Sequence, residues 1–234
     1  DIDGDGASYF LTILSDGVSY KVFIYYAKDS SQGIEVSGIN GTTLVHENNM
    51  VFCIDFNSDG KSDLINVDDL TNIYSFKKYK FTVNTENLLS NAGYPTRWHN
   101  IYPGDFNGDG KSDILTRTSH GAWEVSFSTG KDFSGNSFLF HDYVNIDIDR
   151  LFVSDFNGDG HADILHAFDY FENGSATTSR IKVYYSTGIN FEYHSNYVSK
   201  VLASAYILGD FNGDGKIDMI GQGFFKDPVD VYTF

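Results

Sequence analysis

Cysteine is all but missing from this chain of 234 residues. Cys53 stands alone, which excludes an internal disulfide framework and any cysteine-rich zinc site. Proline is scarce as well, with three residues against 23 glycines, so glycine punctuates the chain. Basic residues number 16 against 32 acidic ones, for a net charge of −16. Nucleic acid and anionic lipid both require a basic footprint, so neither is expected as the main partner. No apolar run approaches the ~20 residues of a membrane-spanning helix, and membrane insertion is not expected. The residues from Asp1 to Gly6 do not read as a secretory signal, so a secreted form would be mature or excised. Aromatic residues are plentiful at 16%, and acidic disordered chains are poor in them, so this chain is expected to fold.

Glutamate is also rare: 26 of the acids are Asp and only 6 are Glu. Solvated surfaces use both, so the short reach of Asp matters here. The aspartates fall into a repeat. DFNSDGKSD (55–63), DFNGDGKSD (105–113), DFNGDGHAD (155–163) and DFNGDGKID (210–218) are near-identical, and DIDGDGASY (1–9) opens the chain with Tyr9 at its last position. Start-to-start spacings of 54, 50, 50 and 55 residues mark a repeat architecture. These five segments carry −12 of the −16, so the acidity belongs to the loops.

Within each segment, side-chain oxygens stand at alternate positions: Asp55, Asn57, Asp59 and Asp63; Asp105, Asn107, Asp109 and Asp113; Asp155, Asn157, Asp159 and Asp163; Asp210, Asn212, Asp214 and Asp218. The first copy offers Asp1, Asp3 and Asp5. Calcium takes six to eight hard oxygen ligands, and short acidic side chains on alternate residues can converge on one ion. Gly60, Gly110, Gly160 and Gly215 permit the positive φ that turns the loop back. The seventh residue (Lys61, Lys111, His161 or Lys216) would lend its backbone carbonyl. Four strong calcium sites and a weaker fifth are therefore expected; magnesium, which demands stricter octahedral geometry, fits less well. An EF-hand is excluded, because position 12 is Thr12, Asn66, Thr116, His166 or Gly221 rather than an acid. The competing reading is that Asp-Gly and Asn-Gly sequences form tight turns without metal.

The flanks of the loops, such as MVFCIDF before and DILTR after, are short β-branched and aromatic runs that read as strands. In the fourth unit, strands are expected over 151–154 and 164–167, a third over 180–188 where Ile181, Val183 and Tyr185 alternate with polar residues, and a fourth over 191–198. The third unit matches, with Trp123, Val125 and Phe127 alternating before a shared Ser-Thr-Gly and a Phe three residues on (Phe133, Phe191). Four strands in ~50 residues, repeated, is the pattern of a propeller blade. The fold expected is all-β: a β-propeller of four-stranded blades with calcium-binding hairpin loops.

These residues carry a resemblance. D-F-N-G-D-G-x-x-D resembles the FG-GAP and VCBS-type repeats, the blades of integrin-alpha-like β-propellers. The run from Trp123 through Ser128, Thr129 and Gly130 to Phe133 resembles propeller regions of Rhs-type and Tc-type bacterial toxins and related secreted proteins. The resemblance implies a secreted or cell-surface protein of bacterial type, with roles ranging over adhesion, lectin activity, toxin scaffolding and accessory duty on enzymes. Three full units between two partial ones suggest a piece of a six- to eight-blade ring, with further blades supplied by the same parent chain.

Catalytic constellations are lacking. The seven His residues show no zinc spacing, and neither a nucleophile elbow nor a phosphate-binding loop is present. Asp68–Asp69 and Asp147 with Asp149 are paired acids, read as solvated loop. Cys53, two residues before a loop, reads as a buried inert thiol. Trp123 and the recurring Phe56, Phe106, Phe156 and Phe211 read as blade packing. The longer connections, 84–100 and 169–180, are the candidate contact loops, and Tyr94, Arg97, Trp98 and His99 form an aromatic–basic set suited to a protein or glycan ligand. The resulting expectation is a non-catalytic, calcium-stabilised binding or scaffold module. The alternatives are a shell segment of an Rhs/Tc-like toxin, or the accessory propeller of a polysaccharide-active or phospholipid-active enzyme.

Overall fold

The computed structural model describes residues 2–6, 9–26, 29–37, 50–67, 72–77, 80–85, 101–117, 122–133, 137–142, 144, 150–172, 175–198, 203–223 and 229–233. Among these every regular element is a strand. Five small sheets follow one another along the chain. The first holds β1 (Tyr9–Ser15), β2 (Tyr20–Tyr26) and β3 (Asp29–Val36). The second holds β4 (Met50–Ile54), β5 (Asp63–Val67), β6 (Asn72–Lys77) and β7 (Lys80–Thr85). The third holds β8 (Ile101–Gly104), β9 (Asp113–Arg117), β10 (Trp123–Ser126) and β11 (Ser137–Phe140). The fourth holds β12 (Arg150–Ser154), β13 (Asp163–Glu172), β14 (Ser175–Ser186) and β15 (Phe191–Val198). The fifth holds β16 (Ala203–Gly209), β17 (Asp218–Gly223) and β18 (Val229–Tyr232).

Spatial order equals chain order in every sheet, so each is a simple meander. Acidic loops join β4 to β5, β8 to β9, β12 to β13 and β16 to β17, and one precedes β1. The register is common to the repeats. Cys53 faces Leu64, Val153 faces Ile164, and Leu208 faces Met219. One strand further, Leu64 faces Tyr74, Ile164 faces Tyr184, and Met219 faces Tyr232.

Two compact units divide the chain, one of Asp1–Pro103 with Gly110–Ser137 and the other of Gly104–Asp109 with Phe138–Phe234. The first unit shows how one sheet is buried on both faces. Leu64 joins Ile2, Val22, Ile24 and Val36 against the first sheet, while its neighbour Ile65 joins Ile54, Phe56, Ile101, Ile114 and Phe133 against the third. Successive strand residues point to opposite faces, so one strand serves two cores. In the second unit Phe156, Leu165, Ala167, Ile181 and Val183 pack with Met219 and Tyr232. Each such large side chain removed from water contributes roughly 1.5–3 kcal/mol.

Trp123 is buried in the core, as its alternation predicted. The stretch 169–180, expected as a long connection, is instead the tip of a hairpin: β13 and β14 stay paired out to Glu172 and Ser175. The overlooked signal was Asn173-Gly174, a two-residue hairpin sequence. Phe211 also departs from expectation. Phe56, Phe106 and Phe156 are at most 1% exposed, whereas Phe211 is 48% exposed.

Candidate functional site

The loops fold by the same local hydrogen bonds. In the fourth copy, Asp155 Oδ1 accepts from the N–H of Gly158 (2.7 Å) and Asp159 (3.2 Å), and Oδ2 accepts from Gly160 N–H (2.9 Å). Asn157 Oδ1 accepts from Asp159 N–H at 2.8 Å, and Asp159 Oδ1 accepts from His161 N–H at 2.8 Å. The copy at 210–218 repeats this set, with Asp210 accepting from Gly213, Asp214 and Gly215, Asn212 from Asp214, and Asp214 from Lys216. Asp55, Asn57 and Asp59 do so ahead of Lys61, and Asp105 and Asn107 collect the N–H groups of Gly108 and Asp109. Short acceptors followed by donors two to five residues on are Asx-type turns, which explains the choice of Asp and Asn over Glu. Backbone φ is positive at the fourth position as well as the sixth: Gly108 (73°), Gly158 (80°) and Gly213 (78°) are joined by Ser58 (60°). The fourth-position requirement was legible in the Gly-x-Gly spacing and was missed.

The ninth aspartates stand apart from the others. Asp63, Asp113, Asp163 and Asp218 are at most 2% exposed, while the middle of each loop is open to solvent. Asp163 Oδ2 accepts from Phe156 N–H (3.0 Å), and its Oδ1 accepts from Ser186 N–H (2.8 Å) on the third strand of its own sheet. Asp113 accepts from Ser128 N–H at 2.8 Å in the same way. The serine hydroxyls then reach the preceding repeat: Ser128 Oγ donates to the carbonyl of Phe56 (2.8 Å), and Ser186 Oγ to that of Phe106 (2.7 Å). Loops also link directly, Ser112 N–H to the Asp55 carbonyl and Ala162 N–H to the Asp105 carbonyl. Phe133 packs edge-on to Phe56 at 5.2 Å and Phe191 to Phe106 at 5.8 Å. Ser-Thr-Gly-x-x-Phe is thus a clasp that holds one loop to the next.

Burial pushes the Asp163 carboxyl up to about 7 against the two N–H groups that favour its charge, and the carboxylates of Asp159 and Asp155 add to the rise. Asp218 places its Oδ2 on Phe211 N–H, and its Oδ1 is buried without a hydrogen-bond partner among the described residues. Among the described residues no three His, Cys, Asp or Glu side chains alone form a metal-holding group. The donor set of a loop is broader, adding Asn Oδ1 and backbone carbonyls to the carboxylates. Hard oxygens, a raised buried carboxyl and an unsatisfied buried oxygen suit a hard divalent cation.

The first loop replaces the ninth carboxylate by Tyr9, whose hydroxyl donates to Asp3 Oδ2 at 2.8 Å; Tyr26 donates to Asp5 Oδ2 at 3.2 Å. Two phenols here do part of what a cation would do. Asp1 lies outside the described residues. In the fourth loop the His161 ring also contributes, with Nδ1 3.1 Å from Asp159 Oδ1. The side chains of Lys61, Lys111 and Lys216 supply no ligand oxygen.

Cys53 is exposed, not buried as its strand suggested. It lines an apolar recess of about 190 Å³ with Ile2, Tyr9, Leu11, Ile24, Ser62 and Leu64. Desolvation by the apolar recess pushes the thiol pKa up, so the sulfur stays protonated and is a poor nucleophile. Tyr94, Arg97, Trp98 and His99, and the pairs Asp68–Asp69 and Asp147 with Asp149, lie outside the described residues. One polar cluster was not foreseen. Asp142, on the segment before β12, meets His166 Nδ1 at 2.8 Å and Lys182 Nζ at 2.9 Å, with Tyr184 as a further donor. Burial alone would raise the Asp142 carboxyl, but the bonds from His166, Lys182 and Tyr184 outweigh it and hold it well below the usual range.

The FG-GAP-like repeat family matches this chain twice, over residues 55–116 and 105–166. Both matches begin on the first Asp of a loop and run through the next loop into the strand after it, so the matched unit spans two clasped repeats. No curated protein matches the chain.

Proposed function

We propose that this chain is a non-catalytic, calcium-stabilised module of β-propeller type that serves as a binding or scaffold element of a secreted or cell-surface protein. One observation carries the reading: the chain spends its acidic residues on a repeated loop and its conserved-in-repeat polar contacts on joining those loops, at Asp163–Ser186–Phe106 and Asp113–Ser128–Phe56. That chemistry holds blades together and leaves connecting segments to meet a partner. Asp155, Asn157, Asp159 and Asp163, with the His161 carbonyl, would hold the ion in the fourth loop; the matching residues do so in the others. When bound, calcium neutralises the crowded carboxylates, and five ions would bring −16 to −6. Loops so rich in Asp suit the calcium-replete exterior of a cell. The partner is a protein or a glycan, met first by the set around Trp98. The toxin-like Ser-Thr-Gly-x-x-Phe motif needs no toxin-specific role, because clasping accounts for it.

The test is calcium stoichiometry by equilibrium dialysis, with thermal unfolding of chelated and reloaded protein. Four or five ions per chain and a marked loss of stability on chelation are expected. No bound calcium and an unchanged unfolding curve would reduce the loops to Asx turns. For the partner, a glycan and protein binding screen is repeated with Trp98→Ala, which should weaken the contact and leave unfolding unchanged.

A further inference from the structure

Consecutive loops are joined by contacts as well as by pattern. The end of the fourth loop and its clasp serine grip the start of the third. Ala162 N–H donates to the Asp105 carbonyl at 2.6 Å, and Ser186 Oγ donates to the Phe106 carbonyl at 2.7 Å. The His161 ring lies against Gly108, where an added Cβ would stand 2.9 Å from Nε2. These contacts hold residues 105–108, the stretch that carries Asp105 and Asn107. Ser186 is itself placed by the fourth loop. Its N–H donates to Asp163 Oδ1 at 2.8 Å, while Asp163 Oδ2 accepts from Phe156 N–H at 3.0 Å. The path thus runs from an acid of one loop to the backbone between two oxygen donors of the other. Its middle is a serine that belongs to neither loop. The pattern occurs a second time: Ser128 N–H donates to Asp113 Oδ1, Ser128 Oγ to the Phe56 carbonyl, and Ser112 N–H to the Asp55 carbonyl.

Resting on the calcium reading proposed above, we infer that neighbouring loops fill cooperatively, with an ion in the 155–163 loop raising the affinity of the 105–113 loop through Ser186, and the reverse. An ion binds only when the oxygens of its loop are fixed. The ordering cost met by the first ion is shared by a neighbour held through the same groups. Asp163 can ligate without breaking the path. Each carboxylate oxygen carries two lone pairs, so each keeps its N–H and still faces an ion. Charge opposes the effect, because filling one loop removes negative field that attracts the second ion. Exposed charges are screened beyond ~8 Å at about 0.15 M salt, which limits that opposition. Linkage makes the coupling reciprocal, and couplings between sites typically amount to about 5- to 150-fold in affinity.

The experiment titrates the whole chain in chelator-buffered calcium at about 0.15 M salt. NMR reads the amides of Gly60, Gly110 and Gly160, the sixth residue of three successive loops; Gly60 and Gly160 donate to Asp55 and Asp155. Asp159→Asn disables the fourth loop and should move the Gly110 midpoint to calcium about 5-fold higher or more. Asp109→Asn should move the Gly160 midpoint by the same factor. Asp59→Asn, two loops away from Gly160, should move Gly160 less than it moves Gly110. Ser186→Ala removes no ion ligand, so every loop should still fill, but the reciprocal shifts should shrink and Ser186→Thr should restore them. Circular dichroism at saturating calcium confirms folding of each variant. A Gly110 midpoint unmoved by Asp159→Asn overturns the inference while leaving the calcium sites in place. So does a shift that Ser186→Ala leaves at full size. No response to calcium at any of the three glycines would remove the calcium reading itself, and the coupling with it.

Discussion

Ser58 occupies a backbone conformation that its counterparts leave to glycine. At φ 60° it is the only non-glycine residue with positive φ among the described residues. A side chain there costs about 1–2 kcal/mol, set against roughly 0.5–1 kcal/mol of extra chain entropy that glycine loses on folding. Ser58→Gly is therefore expected to stabilise the protein by somewhat under 1 kcal/mol, read as a rise of a few degrees in Tm. The reverse change at Gly108 should be worse than strain alone, because an added Cβ would stand 2.9 Å from the His161 ring. Asp142 supports a second prediction at this scale. Its carboxyl is held below its ordinary value in the fold, so it stabilises the native state above the unfolded pKa of about 4 and ceases to do so as pH falls through the lower, folded value. Asp142→Asn should cost roughly 2 kcal/mol near neutral pH, through a lost charge-assisted bond to Lys182. Urea unfolding from pH 7 down to pH 3 should show wild type and variant converging. A gap that stayed constant with pH would mean the carboxylate charge is not what matters.

At the scale of elements, the clasp gives the clearest mutational contrast. Ser186 is 3% exposed, and its hydroxyl donates to the Phe106 carbonyl while accepting from Gly188 N–H at 3.2 Å. Ser186→Ala removes both bonds and should lower stability by about 1–2 kcal/mol. Ser186→Thr keeps the hydroxyl and should recover part of that loss; if Thr is no better than Ala, packing at Cβ rather than hydrogen bonding sets the cost. The denaturation midpoint should shift without a change in slope. This clasp also marks the limit of what the chain discloses as a string. The loops, their glycines and the five sheets follow from local patterns: Asx acceptors, Asp-Gly turns and period-two alternation all act within a few residues. Phe133 and Phe191 stood out as repeated, but their partners Phe56 and Phe106 lie 77 and 85 residues earlier, and no local pattern names them. Asp163 reads as one more loop oxygen, yet its burial comes from a strand 23 residues on, through Ser186. Identical local sequence likewise could not separate Phe211 from Phe156, because the burial of Phe156 comes from residues distant in sequence, Met219 and Tyr232 among them.

At the scale of the whole molecule, the question is whether the charge of −16 acts as a diffuse field or as separate loop sites. The two predict different responses to salt. A diffuse field is relieved by any electrolyte, since screening depends on ionic strength and not on which cation supplies it. Loop sites respond to one ion by mass action, and a site held at 100 times its Kd adds about 2.7 kcal/mol. For a chain of this size 1 kcal/mol corresponds to ~2–4 °C in Tm, so even one saturated site gives roughly 5–10 °C. At fixed ionic strength, millimolar calcium should therefore raise Tm by at least that much over sodium chloride alone. Magnesium should give a smaller rise, because it keeps its own water and demands octahedral geometry that a loop of Asp, Asn and carbonyl donors does not impose. Tyr9 sharpens the comparison within the same molecule. Its hydroxyl already donates to Asp3, so the first loop should gain least from the ion. Tyr9→Asp would restore the ninth carboxylate and is expected to lower Tm in chelator while enlarging the increase on adding calcium. An equal response to all three salts would assign the stabilisation to screening and leave the loops as turns.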